Sequence, residues 1–158
     1  KMGTRCYIAK DLGDGKYRTI FCMLDGYLEY TGALLAEHYA TPGRIDALLS
    51  LGDIYSLGAK IEPDPAYPHD WYNNNRQKDV TTALGRDCGE TDCSAQEMTL
   101  SEMEDSYEFI DFLYVFTHEH EWKYLCLTAP DARWRNVRDE LMELEMSDQD
   151  DEEPMQTM

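Results

Sequence analysis

No apolar run in the 158 residues approaches the ~18–20 needed to cross a bilayer, which excludes a transmembrane helix. Residues 2–24 also lack the apolar core of a secretory signal, and Lys1 ahead of Met2 reads as an addition to a natural start at Met2. The expected location is therefore the cytoplasm, where thiols stay reduced. Cysteine is sparse and odd in number: of five, at least one must be free in a monomer. Catalytic signatures are missing as well. There is no Gly-x-Ser-x-Gly, and "DLGDGK" (11–16) is too short for a phosphate loop and has no helix after it. Cys6 beside Arg5 is the least poor nucleophile candidate and reads better as a strand residue. No enzyme activity and no cofactor are expected.

The most informative absence is positive charge. No lysine or arginine occurs between Arg86 and Lys123, whereas residues 88–122 carry ten carboxylates. Residues 1–86 hold ten Lys/Arg and eleven Asp/Glu, a net of −1, and residues 87–158 hold four and twenty-one, a net of −17. Nearly all of the overall −18 thus belongs to one half. Such asymmetry points to a partner with a basic surface or to a solvated tail, and it disfavours nucleic acid and anionic membranes as direct ligands.

What is present reads as one α+β domain over 2–146 with an acidic C-terminal tail at 147–158. "TRCYIAK" and "YRTIFCML" flank a Gly-Asp-Gly turn and predict a hairpin that would set Cys6 against Cys22. Two half-buried thiols are preferred there to a disulfide. Residues 29–39 have helical spacing, and "TPGRIDALLSLG" predicts a helix with Thr41 as cap, Pro42 at its first position and Gly52 beyond its end. Residues 59–79 form a long loop, with a mobile tip at "YNNNRQK". "VTTALG" fits a short strand and "RDCGETDCSAQ" another loop. "TLSE" (99–102) is a capping-box pattern opening a short helix through about Ser106. Residues 108–117 and 121–128 are expected to form a second hairpin.

Trp134, Val137, Leu141 and Leu144 predict a last helix over 129–146. Arg133, Arg135 and Arg138 would lie near its start and Glu140, Glu143 and Glu145 near its end, against the macrodipole. Residues 147–158 have no apolar periodicity and are expected to be disordered. The fold class expected is an antiparallel sheet of two or more hairpins packed against helices, with an acidic extension.

"MGTRCYIA" (2–9), "IFCMLDGYLEYTGALLAEHY" (20–39) and "LLSLGDIYSLG" (48–58) resemble a family of uncharacterised phage and prophage proteins. "GRDCGE" (85–90) and "YVFTHEHEWKYL" (114–125) are similar to its later segments, so the likeness spans about residues 2–128. The chain departs from that pattern at Leu24, where an aromatic is usual, and at Leu28, where proline is usual. The resemblance implies a phage-related origin and a small α+β fold.

Three constellations compete for a function. Cys88, Cys93, His118 and His120 offer four zinc-type ligands, the basis of an alternative reading as a small metal-dependent enzyme, but the histidine spacing is wrong for a helical pair, and exposed turn histidines are the better reading. No bound metal is expected. His69, Asp70 and Trp71 in the long loop, with Arg76 or Arg86, would suit a nucleotide or signalling molecule held beneath it. Glu104–Asp105 and Glu108–Asp111 are carboxylate pairs of the acid/base or divalent-metal type, in a stretch acidic enough to contain them by coincidence.

The remaining reading is mimicry of a nucleic-acid backbone. Carboxylates four apart on a helix lie ~5–6 Å apart, and those two apart on a strand face ~6.6–7 Å apart, spacings comparable with successive phosphates. Glu102, Glu104, Asp105, Glu108, Asp111, Glu119 and Glu121 are the candidate contacts, with Glu140, Glu143 and Glu145 secondary. Interleaved Tyr107, Phe109, Trp122 and Tyr124 would supply desolvated anchors or belong to the core. The expected function is a phage-encoded inhibitor of a bacterial nucleic-acid-targeting defence system such as a CRISPR effector. It would occupy the partner's basic channel in the host cytoplasm.

Overall fold

The computed structural model describes residues 3–71 and 74–156. Met2, Tyr72 and Asn73 of the loop tip, and the last two residues of the expected tail lie outside the described residues. The first hairpin forms as its turn chemistry dictates. β1 (Cys6–Gly13) pairs antiparallel with β2 (Lys16–Cys22), and the reversal uses positive φ at Gly13, Asp14 and Gly15. Cys6 faces Cys22 in this register, and both are buried free thiols. β3 (Ile54–Ser56), β4 (Thr82–Ala83), β5 (Gln96–Met98), β6 (Phe112–Phe116), β7 (Trp122–Cys126) and β8 (Arg135–Asn136) complete one sheet in the order β4-β3-β2-β1-β6-β7-β8. β5 pairs with the other end of β2.

Most pairings are antiparallel, but the two hairpins meet through the parallel pair β1–β6. That arrangement follows from the path between them: the chain leaves β5, crosses one face of the sheet and enters β6 in the direction of β1. The segment 108–111, expected to be strand, is the end of this crossing, so β6 starts only at Phe112.

Strand alternation gives the sheet two apolar faces. Ile8, Ile20, Tyr114, Phe116, Trp122 and Tyr124 point to the first. They meet a π-helical turn (Leu28–Gly32) and the helices α1 (Ala33–His38), α2 (Pro42–Ser50) and α5 (Val137–Gln156). Polar tips fix this layer. Trp122 Nε1 donates to the carbonyl of Tyr39 at 2.7 Å, the Tyr39 hydroxyl to that of Gly58 at 2.6 Å, and the Tyr114 hydroxyl to that of Gly26 at 2.7 Å. Ala9, Leu113, Val115 and Leu125 line the second face, which is covered chiefly by Met103 of α4 (Leu100–Glu104) and by Ile110. Trp122 and Tyr124 are therefore core residues.

The Asp25-Gly26-Tyr27 segment is a packed corner. Asp25 has φ 56°, its carbonyl accepts the Thr31 hydroxyl at 2.6 Å, and a Cβ at Gly26 would stand 2.9 Å from that of Cys6. Leu28 is buried.

The last helix differs most from expectation. Residues 129–134 are not helical, Arg135 and Asn136 pair with Tyr124 and Lys123 of β7, and α5 begins at Val137. The Asn136 side chain then caps the helix by accepting the Asp139 N–H at 3.1 Å. Arg133 and Arg135 precede the helix and Asp139 and Glu140 join Arg138 in its first turn, so of the expected conflict with the macrodipole at that end only Arg138 remains. Its backbone stays helical to Gln156, through most of the segment expected to be a disordered tail. α3 (Leu84–Cys88), also unexpected, is a single turn whose Asp87 carboxylate accepts the Ala83 N–H at 2.7 Å.

Candidate acidic interface

The capping box of α4 is complete: Thr99 Oγ1 accepts the Glu102 N–H, and the Glu102 carboxylate accepts the Thr99 N–H at 2.9 Å. The helix then needs only Met103 and Ile110 to anchor it, helped by a contact of 3.3 Å between the hydroxyls of Tyr7 and Ser106. Between Met103 and Ile110 every residue except Ser106 is exposed. Glu102, Glu104, Asp105 and Glu108 are exposed, and so are Tyr107 (61 %) and Phe109 (65 %). Among the described residues no ion pair joins Glu104, Asp105 or Glu108 to a cation. The sequence thus builds a short acidic protrusion with two solvent-facing aromatic rings.

The hydrogen bond from Thr99 holds the Glu102 carboxyl below its ordinary value. A lowered carboxyl stabilises the folded form above the unfolded value, and that contribution disappears as pH falls through the folded one. Acidification below about pH 4.5 is therefore expected to unlatch the α4 cap, seen as faster hydrogen exchange at Thr99. Thr99→Ala should cost about 1 kcal/mol at neutral pH.

Not all of the expected carboxylates join this surface. Asp111 is 5 % exposed and accepts the Arg5 N–H at 3.1 Å, closing the entry of β6 against β1; it is structural. Glu119 and Glu121 sit at the tip of the β6–β7 hairpin, with Glu121 3.5 Å from the Asn136 side chain. Glu140 is neutralised by Arg135 at 2.7 Å. Glu143 and Glu145 are exposed on α5, which covers the sheet face opposite to α4. The carboxylates are close in sequence, but the fold divides them among four places: the α4 segment, the entry of β6, the β6–β7 tip and α5.

The metal-ligand set is not assembled. Cys88 is buried on α3, the Cys93 thiol donates to the Thr91 carbonyl, His118 lies 3.4 Å from Asp11, and His120 stacks on Phe116. Among the described residues no three His, Cys, Asp or Glu side chains form a metal-sized group. Burial pushes the Cys88 and Cys93 thiols up, with Asp87 and Glu90 adding to the first and Asp53 and Glu90 to the second, so neither favours the thiolate. Burial, with Cys22 alongside, raises Cys6 further.

The residues singled out in the long loop serve to fasten it. Arg86 donates to both Asp87 carboxylate oxygens at 2.9 Å and to the carbonyls of Ile61 and Thr81 at 2.7 and 2.8 Å. His69 and Asp87 side chains are only 2 % and 4 % exposed. The Gln77 N–H donates to His69 Nδ1 at 2.9 Å, which puts the ring proton on Nε2, facing the Thr81 carbonyl and Asp87. Trp71 packs on Tyr55 and beneath the Arg76 guanidinium. The nearby pocket of about 260 Å³ is lined by Arg76, Tyr30, Asn74 and Asp79, but not by His69, Trp71 or Arg86.

No helix among the described residues is long and apolar enough to cross a membrane. The chain matches no family model, no curated protein and no solved structure.

Proposed function

We propose that this is a binding protein that inserts its α4 protrusion into a cationic groove of a nucleic-acid-handling macromolecule. With the phage-related resemblance, the partner class is a bacterial defence nuclease such as a CRISPR effector, and the protein acts as its inhibitor in the host cytoplasm. One observation carries this reading: Glu104, Asp105 and Glu108 stand unneutralised beside the exposed rings of Tyr107 and Phe109. Carboxylates alone are commonly a solvated face. Aromatic rings left in water among them have the composition of an interface centre, where charge steers the encounter and the rings supply desolvated contact.

Charge reversal must be confined to Glu104→Lys, Asp105→Lys and Glu108→Lys, because a lysine at buried Asp111 would disrupt the fold itself. The triple variant is expected to lose capture of a purified basic-channel nuclease and to stop inhibiting its cleavage, with an unchanged melting temperature. Tyr107→Ala/Phe109→Ala should weaken capture by about 2 kcal/mol or more without altering its salt dependence. Retention of inhibition by the triple reversal would eliminate the α4 protrusion as the contact surface.

A further inference from the structure

A separate surface lies across the sheet from α4. Within the first helical layer, between α1 and α5, runs a cleft of about 520 Å³, lined by Ala33, Ala36, Leu141, Met142 and Leu144. We infer that this cleft is a docking groove for a basic amphipathic helix of another protein. Its shape comes from side-chain size. Ala33 and Ala36 keep one wall low, so an incoming helix can approach the α1 backbone closely. On the other wall Arg138, Leu141, Met142 and Glu145 recur three and four apart and share one face of α5. Only Leu141 among the wall's apolar residues packs against the core; Met142 and Leu144 remain in solvent. The volume falls within the roughly 300–1,000 Å³ of concave ligand sites. An exposed methionine and leucine lining such a groove suit an apolar helix face, and methionine adapts to an imperfect fit.

Charge selects the occupant. Glu29, Glu37 and Glu145 edge the cleft against Arg138, the one cation among the described lining residues, whose Nη2 donates to the Ala36 carbonyl at 2.7 Å. A helix with aliphatic residues on one side and lysine or arginine flanking them satisfies both the floor and the rim. Nucleic acid and anionic lipid would meet the carboxylates with like charge. So would a second copy of this chain, whose own cleft carries the same glutamates on a body of net charge −18. This inference is independent of the α4 protrusion, which lies on the opposite sheet face.

The test uses the full chain and a fluorescein-labelled leucine–lysine peptide of about five helical turns, patterned to be amphipathic. Anisotropy is measured at about 0.15 M salt, where long-range attraction between exposed charges is largely screened. The patterned peptide should bind and gain helical circular dichroism, and a scrambled peptide of identical composition should bind at least about tenfold more weakly. Met142→Ser/Leu144→Ser should reduce affinity by about tenfold or more, since it removes apolar contact without changing charge. Glu37→Lys/Glu145→Lys, at two exposed positions, should do the same through the rim and serves if the serine variant folds poorly. Glu104→Lys/Asp105→Lys/Glu108→Lys should not alter peptide affinity. Equal binding of patterned and scrambled peptides, or insensitivity to both groove variants, overturns the inference. So does a sedimenting dimer that Met142→Ser/Leu144→Ser converts to monomer, which would give the groove to a second copy.

Discussion

Asp87→Ala is expected to cost about 2–3 kcal/mol, because it removes a buried carboxylate that satisfies the Ala83 N–H and pairs with the partly exposed Arg86. For a domain of this size the melting temperature should fall by roughly 10 °C. The carboxylate has three roles at once. It accepts the Ala83 N–H that starts α3, it receives the Arg86 guanidinium, and it faces the Nε2–H of His69. Alanine leaves the Ala83 donor without this acceptor in a buried setting, and it leaves the guanidinium held only by carbonyls and the distant, exposed Glu62. His69 then loses a constraint, and with it the grip that the Gln77 N–H gives the far limb of the loop. Denaturation and limited proteolysis read this together: cleavage within residues 60–79 should precede global unfolding in the variant. Asp87→Asn keeps an acceptor for Ala83 and should cost less. A melting temperature within about 1 °C of the parent's for Asp87→Ala would contradict this account of the loop.

Gly52→Ala should be comparably severe, at about 3 kcal/mol or more, while Gly43→Ala should be neutral or slightly stabilising. The two glycines lie near opposite ends of α2 and differ in backbone conformation and in surroundings. Gly52 has φ +77°, and a Cβ there would overlap the carbonyl of Cys93. That carbonyl is also the acceptor for Asp53 N–H at 2.7 Å, so it cannot retreat without breaking the bond. Asp53 in turn joins three elements: its carboxylate accepts the Phe21 N–H at 2.9 Å and its carbonyl accepts that of Leu84 at 3.1 Å. Displacing residue 52 therefore disturbs the end of β2 and the start of α3 together with the Cys93 loop. A Cβ at Gly43 meets nothing within 4 Å, so alanine there only restricts the unfolded chain. Equal melting temperatures for the two variants would show that the overlap at Gly52 is relieved at little cost.

Legibility divides along the range of the interactions. The first hairpin, the Thr41–Pro42 start of α2, the capping box at Thr99 and the β6–β7 hairpin all rest on contacts a few residues apart, so their residues announce them. The same holds for the α+β class and for the free thiols Cys6 and Cys22. By contrast, β5 exists because Gln96–Met98 find Tyr17–Thr19, and β8 because Arg135 and Asn136 find β7, partners that no local pattern names. A helical periodicity that includes Trp134 is real as a pattern, yet pairing with β7 overrides it until Val137.

The candidate site divides in the same way. Charge asymmetry is a property of composition, and the ten carboxylates between residues 88 and 122 were visible before any fold was known. Which of them share a surface depends on the path of the chain across the sheet. That path buries Asp111 and turns Glu104, Asp105 and Glu108 to solvent beside Tyr107 and Phe109. It also leaves Glu143 and Glu145 on the opposite side and fills the core with Trp122 and Tyr124. The amino-acid order alone decided how much negative charge the chain carries and where along its length. Only tertiary packing decided which charges face water together, because a sheet has two sides and each residue on it can face just one.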